Sequence, residues 1–441
     1  MEPSPKELSS PSLADPLRRR PFRHLAIASG VNALGDELGL IALSVLVFAE
    51  TGSALATTLL FIGTYVVPAL LAPFMVASFE PPAPRLVIPG LYAAEALAFA
   101  LLALLAQHFS LAAVVAIAAV DAAIALTARS LTRGVTVALL SPSGELRSGN
   151  AVLNIAFTVG TAVGPALAGL VVAGFGVQTS LLLDAASFCV IAVLVFTAGG
   201  LPRSEAEPGR LMATVKAGWT HIRENTILRR LIVAQAFALV FFTLTTPVEV
   251  IYVKETLGAG DLGYGLLLTA WGAGMVVGSA AFAALRSASL RTLIFVSTVA
   301  MGASYLGMAA APTLVIACVA AVFGGVGNGV QWVAAISAVQ ELAAPSMQVR
   351  TIGTLESIAK LSPAIGFLIG GVLTSLWDPR LTFVVAGIGV LAVVAAAVPG
   401  LVGRWPERAR REGQFPPAEG DIVVLELLPG GMPPPNLKVE P

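Results

Sequence analysis

The chain has little charge. Asp, Glu, Lys and Arg make up 12% of its 441 residues, against about 25% in an ordinary soluble domain. Its formal net charge is zero, which leaves no charge-based case for a nucleic-acid partner, and none is expected. Cysteine and histidine are scarcer still. Cys189 and Cys318 sit in separate apolar runs, as packed thiols rather than a disulfide or a metal site. His24, His108 and His221 are scattered, so no metal is expected. The glycine-rich run 324–329 lies inside an apolar stretch and lacks the lysine of a phosphate-binding loop, so neither a nucleotide nor any other cofactor is expected. No catalytic constellation is present, and the chain is not expected to be an enzyme.

Apolar residues fill the space that charge leaves, at 56% of the chain. Crossing a hydrocarbon core of about 30 Å takes about 20 apolar residues in a helix. On that ruler, helices are expected near 23–49, 54–77, 84–106, 111–139, 148–175 and 178–200. After a polar stretch, others are expected near 229–255, 261–285, 290–310, 312–340, 348–376 and 380–402. The first run follows Arg18–Arg20 and Arg23 and has no small-residue cleavage site, so no cleavable signal peptide is expected. The expected organisation is a cytoplasmic arm at 1–20, a six-helix bundle at 21–200, a cytoplasmic linker at 201–228, a second six-helix bundle at 229–402 and a disordered cytoplasmic tail at 403–441.

Lysine and arginine orient this arrangement. With the N-terminus inside, 21 of them fall on the inner side and only Lys254 and Arg380 on the outer, while Arg129, Arg133 and Lys360 lie within helices. Both termini are therefore expected in the cytoplasm. The halves also echo each other. The stretch 147–176, RSGNAVLNIAFTVGTAVGPALAGLVVAGFG, carries Gly160, Gly164, Pro165 and Gly169. A shift of 202 places Gly164 on Gly366 and Gly169 on Gly371, in TIGTLESIAKLSPAIGFLIGGVLTS. Small residues let helix backbones approach closely in lipid, and proline bends the helix. The stretch is either a kinked, close-packed span or a contact that permits one bundle to rock on another.

Ionisable residues at membrane depth mark functional sites by default. Asp36 and Glu37 lie near mid-membrane in the first helix. Adjacent positions point about 100° apart, so one of the two is expected to face a cavity. A desolvated carboxyl is suited to loading and releasing a proton; the alternative is a carboxylate capping a kink or a wet helix end. In the fourth helix Asp121 and Arg129 are eight residues apart and share a face, either as a coupling device or as a static ion pair. Glu356 and Lys360 stand four apart in the eleventh helix, in the favourable order for a structural ion pair. Glu95 is isolated in the third helix. Glu249 lies near the outer end of the seventh helix, as an external-gate residue or a solvated one. Asn328, Gln331 and Trp332 in the tenth helix, with Phe241 and Phe242 in the seventh, offer amides beside aromatics for an amphipathic ligand, or plain packing.

Several stretches in order resemble the major facilitator superfamily over roughly 20–402, and within it the branch of enterobactin exporters and macrolide efflux pumps. They are FRHLAIASGVNALGDELGLIALSVLVFAETGSAL, RSGNAVLN with GTAVGPALAG, LLLDAASFCVIAVLV and TVKAGWTHIRENTILRRL, the last similar to an amphipathic helix of the central loop. The resemblance implies an all-α membrane fold of twelve transmembrane helices in two six-helix pseudo-repeat bundles, with the first, fourth, seventh and tenth lining a central cavity. It singles out Asp36 over Glu37 and implies that Asp36, Asp121 and Arg129 converge there. One departure stands out. The family's charged latch between helices two and three is reduced here to PFMVASFEPPAPRLVIP, with only Glu80 and Arg85 charged.

The expected function is proton-coupled export of a small amphipathic organic compound, drug-like or a siderophore, by alternating access from a monomer in the bacterial cytoplasmic membrane. The expected partners are the substrate, protons and the lipid bilayer. The alternatives are an uncoupled facilitator or importer and, because of the reduced latch, a non-transporting membrane scaffold or sensor.

Overall fold

A computed structural model describes residues 14–79, 84–202, 220, 222–285, 288–342 and 348–401. Most of the expected N-terminal arm, Glu80, residues 203–219 of the expected linker and the expected tail lie outside the described residues. So do the side chains of Glu356 and Lys360, and with them the expected ion pair.

Among the described residues the chain is helical and contains no strand. The helices are α1 (Arg20–Thr51), α2 (Ala54–Phe79), α3 (Pro84–Leu105) and α4 (Leu111–Leu140). One continuous segment, Leu146–Ala198, is two spans. At 53 residues it would run about 80 Å at 1.5 Å per residue, over twice a hydrocarbon core of about 30 Å. Gly176 divides it with φ 82°, a backbone state that glycine adopts without strain. We therefore name α5 as 146–175 and α6 as 177–198. The second half holds α7 (Thr226–Thr243), α8 (Asp261–Ala284), α9 (Leu290–Ala310), α10 (Leu314–Leu342), α11 (Gln348–Leu376) and α12 (Pro379–Leu401). Among the described residues the fold is thus an all-α membrane fold of twelve long helices. Its large apolar side chains face outward as well as inward, Phe74, Phe175 and Val315 each being more than 70% exposed, as a lipid-facing surface requires.

The lengths of the apolar runs placed these helices to within a few residues, with one exception. The seventh helix was expected to run unbroken to 255. It stops at Thr243, turns through 244–248, and resumes as a short helix, Glu249–Ile251, and a π-turn, Tyr252–Thr256. Pro247 lies in the break, where its missing N–H and its ring oppose helix continuation.

The two halves pack by the same scheme six helices apart. In the first, α1 packs on α5 and α6, α2 on α4, and α3 on α4 and α6. In the second, α7 packs on α11 and α12, α8 on α10, and α9 on α10 and α12. The halves meet through α2 with α11 and α5 with α8. Phe61 and Tyr65 of α2 lie 5.6 and 5.0 Å from the Phe367 ring of α11, and Thr58 Oγ1 donates to the Phe367 carbonyl at 3.4 Å. Gly371 of α11 rests on Thr58, Gly169 of α5 on Gly265 of α8, and Gly272 of α8 on the Thr161 carbonyl. Among the described residues these contacts run from the end bearing the α1–α2 and α7–α8 hairpins to about mid-depth. The main apolar cluster threads both halves, from Leu25 and Phe99 to Leu244, Tyr252 and Phe383.

Candidate functional site

Asp36 sits at the middle of α1, 16 residues from Arg20 and 15 from Thr51. Its Oδ2 accepts from Arg129 Nη2 of α4 at 2.8 Å and from Asn32 Nδ2, one turn earlier on α1, also at 2.8 Å. The side chains of this pair are 41% exposed at Arg129 and 27% at Asp36, so it is open to one side rather than sealed. Tyr65 of α2 lies within electrostatic reach of Arg129 and Glu37 and is itself 41% exposed. It also bears on Phe367, so it stands between the charged pair and the α2–α11 seam.

Glu37 turns away from this pair. It rests on Gly164 of α5, where an added Cβ would come within 2.7 Å of its Cγ. Gly160 lies against Ala33 in the same seam. Gly160 and Gly164 therefore close α5 onto α1 inside the first half, whereas the rocking reading needed Gly164 between the halves. The contact between halves falls to Gly169, where a Cβ would stand 3.0 Å from both the Gly265 Cα and the Asp261 carbonyl, and to the Pro165 carbonyl, which faces Gly265. The repeat is kept in detail. On α11, Gly366 and Gly370 close onto α7 at Val240, Thr243 and Leu244, and Gly371 crosses to α2.

Asp121 joins the neighbourhood of Arg129 without bonding it; it is 7% exposed, and its Oδ1 has no partner among the described residues. Two more carboxyls share this interior. Glu95 of α3 is fully buried with neither oxygen bonded, and Asp184 of α6 is fully buried with Oδ2 unbonded. Asp184 was overlooked in the sequence, although a carboxyl well inside an apolar span is itself a signal.

The second half carries a neutral counterpart. Gln331 of α10, which the 202-residue shift sets on Arg129, donates through Nε2 to Gln235 Oε1 of α7 at 2.5 Å. Gln235 stands 203 residues from Asn32. Gln331 is only 5% exposed, so it is tied within its half rather than lining an open cavity. Trp332 packs against the apolar cluster of Leu228, Ile294 and Val339. Asn328 Nδ2 faces Met275 Sδ at 3.8 Å. Phe241 packs under Gly389 of α12, while Phe242 belongs to an aromatic cluster with Trp271 (5.7 Å) and Tyr305 (6.1 Å). Near that cluster Glu249 accepts from Thr245 Oγ1 at 3.3 Å; it lies beyond the broken end of α7. Arg85, the described remnant of the reduced latch, caps the Phe196 ring of α6 at 5.6 Å and so stays within its own half.

These features have relatives. A family profile described as Major Facilitator Superfamily matches residues 231–429. The multidrug efflux pump Tap of Mycobacterium tuberculosis (strain ATCC 25618 / H37Rv) is 27% identical over 263 residues, covering 57% of this chain and 60% of the pump. Tap of Mycolicibacterium fortuitum is 26% identical over 268 residues, covering 57% and 63%. The chain thus spans less than two thirds of the length of these curated relatives. Among solved structures, the nucleoside transporter NupG superposes with a TM-score of 0.70 at 12% identity, over 87% of this chain and 100% of that one. A bacterial homologue of the iron transporter ferroportin in an inward-facing state gives 0.69 at 15% identity, over 87% and 99%. At such identities these likenesses speak for the fold alone. The family profile and the Tap relatives make the chain similar to the major facilitator superfamily and, within it, to efflux pumps.

Proposed function

We propose that the chain is a secondary active transporter that exports a small amphipathic organic compound, drug-like or a siderophore, in exchange for protons. The observation that carries this reading is the Asp36–Arg129 pair, half-open at mid-depth of α1. A proton arriving on Asp36 cancels its charge and loosens its hold on Arg129; its departure restores the pair. A site that toggles in this way suits exchange of a proton for a substrate. The Tap relatives, whose name makes them multidrug efflux pumps, support the direction and the substrate class.

The halves, taken as 21–200 and 229–402, alternate in this reading about the α2–α11 and α5–α8 seams. With both termini in the cytoplasm, as the lysine and arginine asymmetry favours, the seams are closed outside and the conformation is inward-open. The protein works as a monomer in the bacterial cytoplasmic membrane.

The test is proteoliposome transport of a panel including ethidium and a siderophore, with and without an imposed pH gradient. Wild type moves at least one compound in response to the gradient, and Asp36→Asn abolishes that response. Movement unaffected by collapsing the gradient would mean an uncoupled facilitator. No movement of any compound would favour the scaffold reading.

A further inference from the structure

Three carboxyl groups behind Asp36 remain without a task. Glu95 on α3, Asp121 on α4 and Asp184 on α6 come from three helices into one interior of the first half. They are 0%, 7% and 0% exposed, and each keeps at least one oxygen with no hydrogen-bond partner among the described residues. Asp184 is aimed at α1, where Gly35 and Gly39 leave the room its carboxyl occupies. Phe99, one turn beyond Glu95 on α3, closes the same spot against Gly39.

The charged and titratable groups around them are few. Glu95 faces Asp121 and Arg129 of α4, Asp36 of α1, Asp184 of α6 and Tyr92 of its own helix. Asp121 faces Asp36 and Arg129. Asp184 faces Asp36 and Asp121, with Ser187 Oγ donating to its Oδ1 at 3.1 Å. Arg129 is the one cation in this set, and Asp36 holds it directly. An ionised carboxylate sealed from water without hydrogen bonds or a counter-ion costs several kcal/mol. Glu95 and Asp121 share that arginine with Asp36, and Asp184 is not in its reach, so the three cannot all be ionised, and the neutral acid is the form that fits an oxygen without a donor.

We propose that Glu95, Asp121 and Asp184 form a second proton-holding site in the first half, and that this site exchanges its proton with Asp36. The inference rests on reading Asp36 as the proton-coupling residue. In the exchange an O–H bond breaks on one carboxyl as another forms on Asp36, and the negative charge passes the opposite way, while Arg129 stays cationic throughout. Asp121, on α4 two turns from Arg129 and the one of the three not fully sealed, is the relay; Glu95 and Asp184 are the store. Such a store lets the half keep a proton while Asp36 is paired with Arg129.

The experiment needs no substrate. Infrared difference spectra across pH are recorded on the purified full chain in lipid vesicles, following the carbonyl stretch of neutral carboxyl groups. Wild type shows such bands near neutral pH; Glu95→Gln and Asp184→Asn each remove one; and Asp36→Asn moves the titration of those that remain by about one pH unit, as coupled sites require. Asp184→Glu keeps the carboxyl and displaces its band instead, so poor insertion of one variant does not stand in for a negative result. Bands unchanged in Glu95→Gln and Asp184→Asn, or indifferent to Asp36→Asn, overturn the proposal. Gradient-driven ethidium transport by wild type is measured alongside. Its failure with the coupled bands present sinks only the antiport reading; its success with the bands absent sinks only the second site.

Discussion

Gly169→Ala should open the seam between the halves, and Gly164→Ala should not. The two glycines lie five residues apart on α5, yet they meet different partners. At Gly169 the added methyl would stand 3.0 Å from the Gly265 Cα and 3.0 Å from the Asp261 carbonyl. Both obstacles are backbone of α8, so the strain is relieved only by moving α5 and α8 apart. At Gly164 the methyl would meet the Glu37 side chain at 2.7–2.8 Å, with the nearest α1 backbone, the Ala33 carbonyl, at 3.9 Å. Glu37 Cγ can rotate aside, but its Cβ is fixed to α1, so α5 must ease away from α1; both helices belong to the first half, and the strain stays inside it. An extra methyl in a tight contact costs about 1–3 kcal/mol. Set against an equilibrium between seam-closed and seam-open states, that range shifts the populations by about 5- to 150-fold. The assay is a spin-label distance distribution between Leu55 on α2 and Leu376 on α11, both exposed near the hairpin end, in a background with Cys189 and Cys318 replaced. Gly169→Ala should populate a longer distance, and Gly164→Ala should keep the wild-type distribution while lowering thermal stability. Equal shifts from both substitutions would refute the assignment of Gly169 to the seam.

Gln235→Leu should destabilise the second half by about 1–3 kcal/mol, because it leaves the buried Gln331 amide without its partner; replacing both glutamines by leucine should recover part of that loss in thermal melts. Glu145→Ala breaks the part-exposed ion pair with Arg19, whose Nε lies 2.7 Å from Oε2, and should cost no more than about 1 kcal/mol in the same measurement.

The helices were legible because apolar length is what the bilayer demands of a span, and that demand is written residue by residue. The break after Thr243 was not foreseen, since apolar length alone does not register the backbone that Pro247 interrupts. Asp36 and Arg129 could be proposed as partners because each is costly in lipid and the helices bearing them were expected at the same cavity. Their meeting through one carboxylate oxygen, with Asn32 as second donor, follows from a rotation of α1 that sequence does not state. Glu37 shows the same limit: the 100° step between neighbours said that the two carboxyls diverge, but the close α5 backbone at Gly164 decides where the second one goes. Gln331, Trp332 and Phe241 read as cavity residues by type alone. Their packing depends on which face of α10 or α7 meets a neighbour, and aromatic or amide identity carries no such information.

On the alternating-access reading proposed above, the repeat between the halves would let one chain hold both a rigid scaffold and a moving seam. Gly160 and Gly164 on α5 correspond in use to Gly366 and Gly370 on α11: each pair locks its helix to the first helix of its own half. Gly169 and Gly371, paired by the 202-residue shift, each cross to the other half. Closeness is therefore graded along a single helix, with one part committed within the half and the next part free to separate. The same two-fold plan fails at the polar site. Where the first half sets Asn32, Asp36 and Arg129, the second sets Gln235 and Gln331, which pair as neutral amides. A neutral pair has no ionised form whose charge a proton can cancel, so on the proton-exchange reading proposed above it is the half with Arg129 and five interior carboxyls that would answer a proton. The asymmetry would suit the exchange proposed above: two halves alike enough to rock about a shared seam, and unlike enough that protonation would bear on one of them.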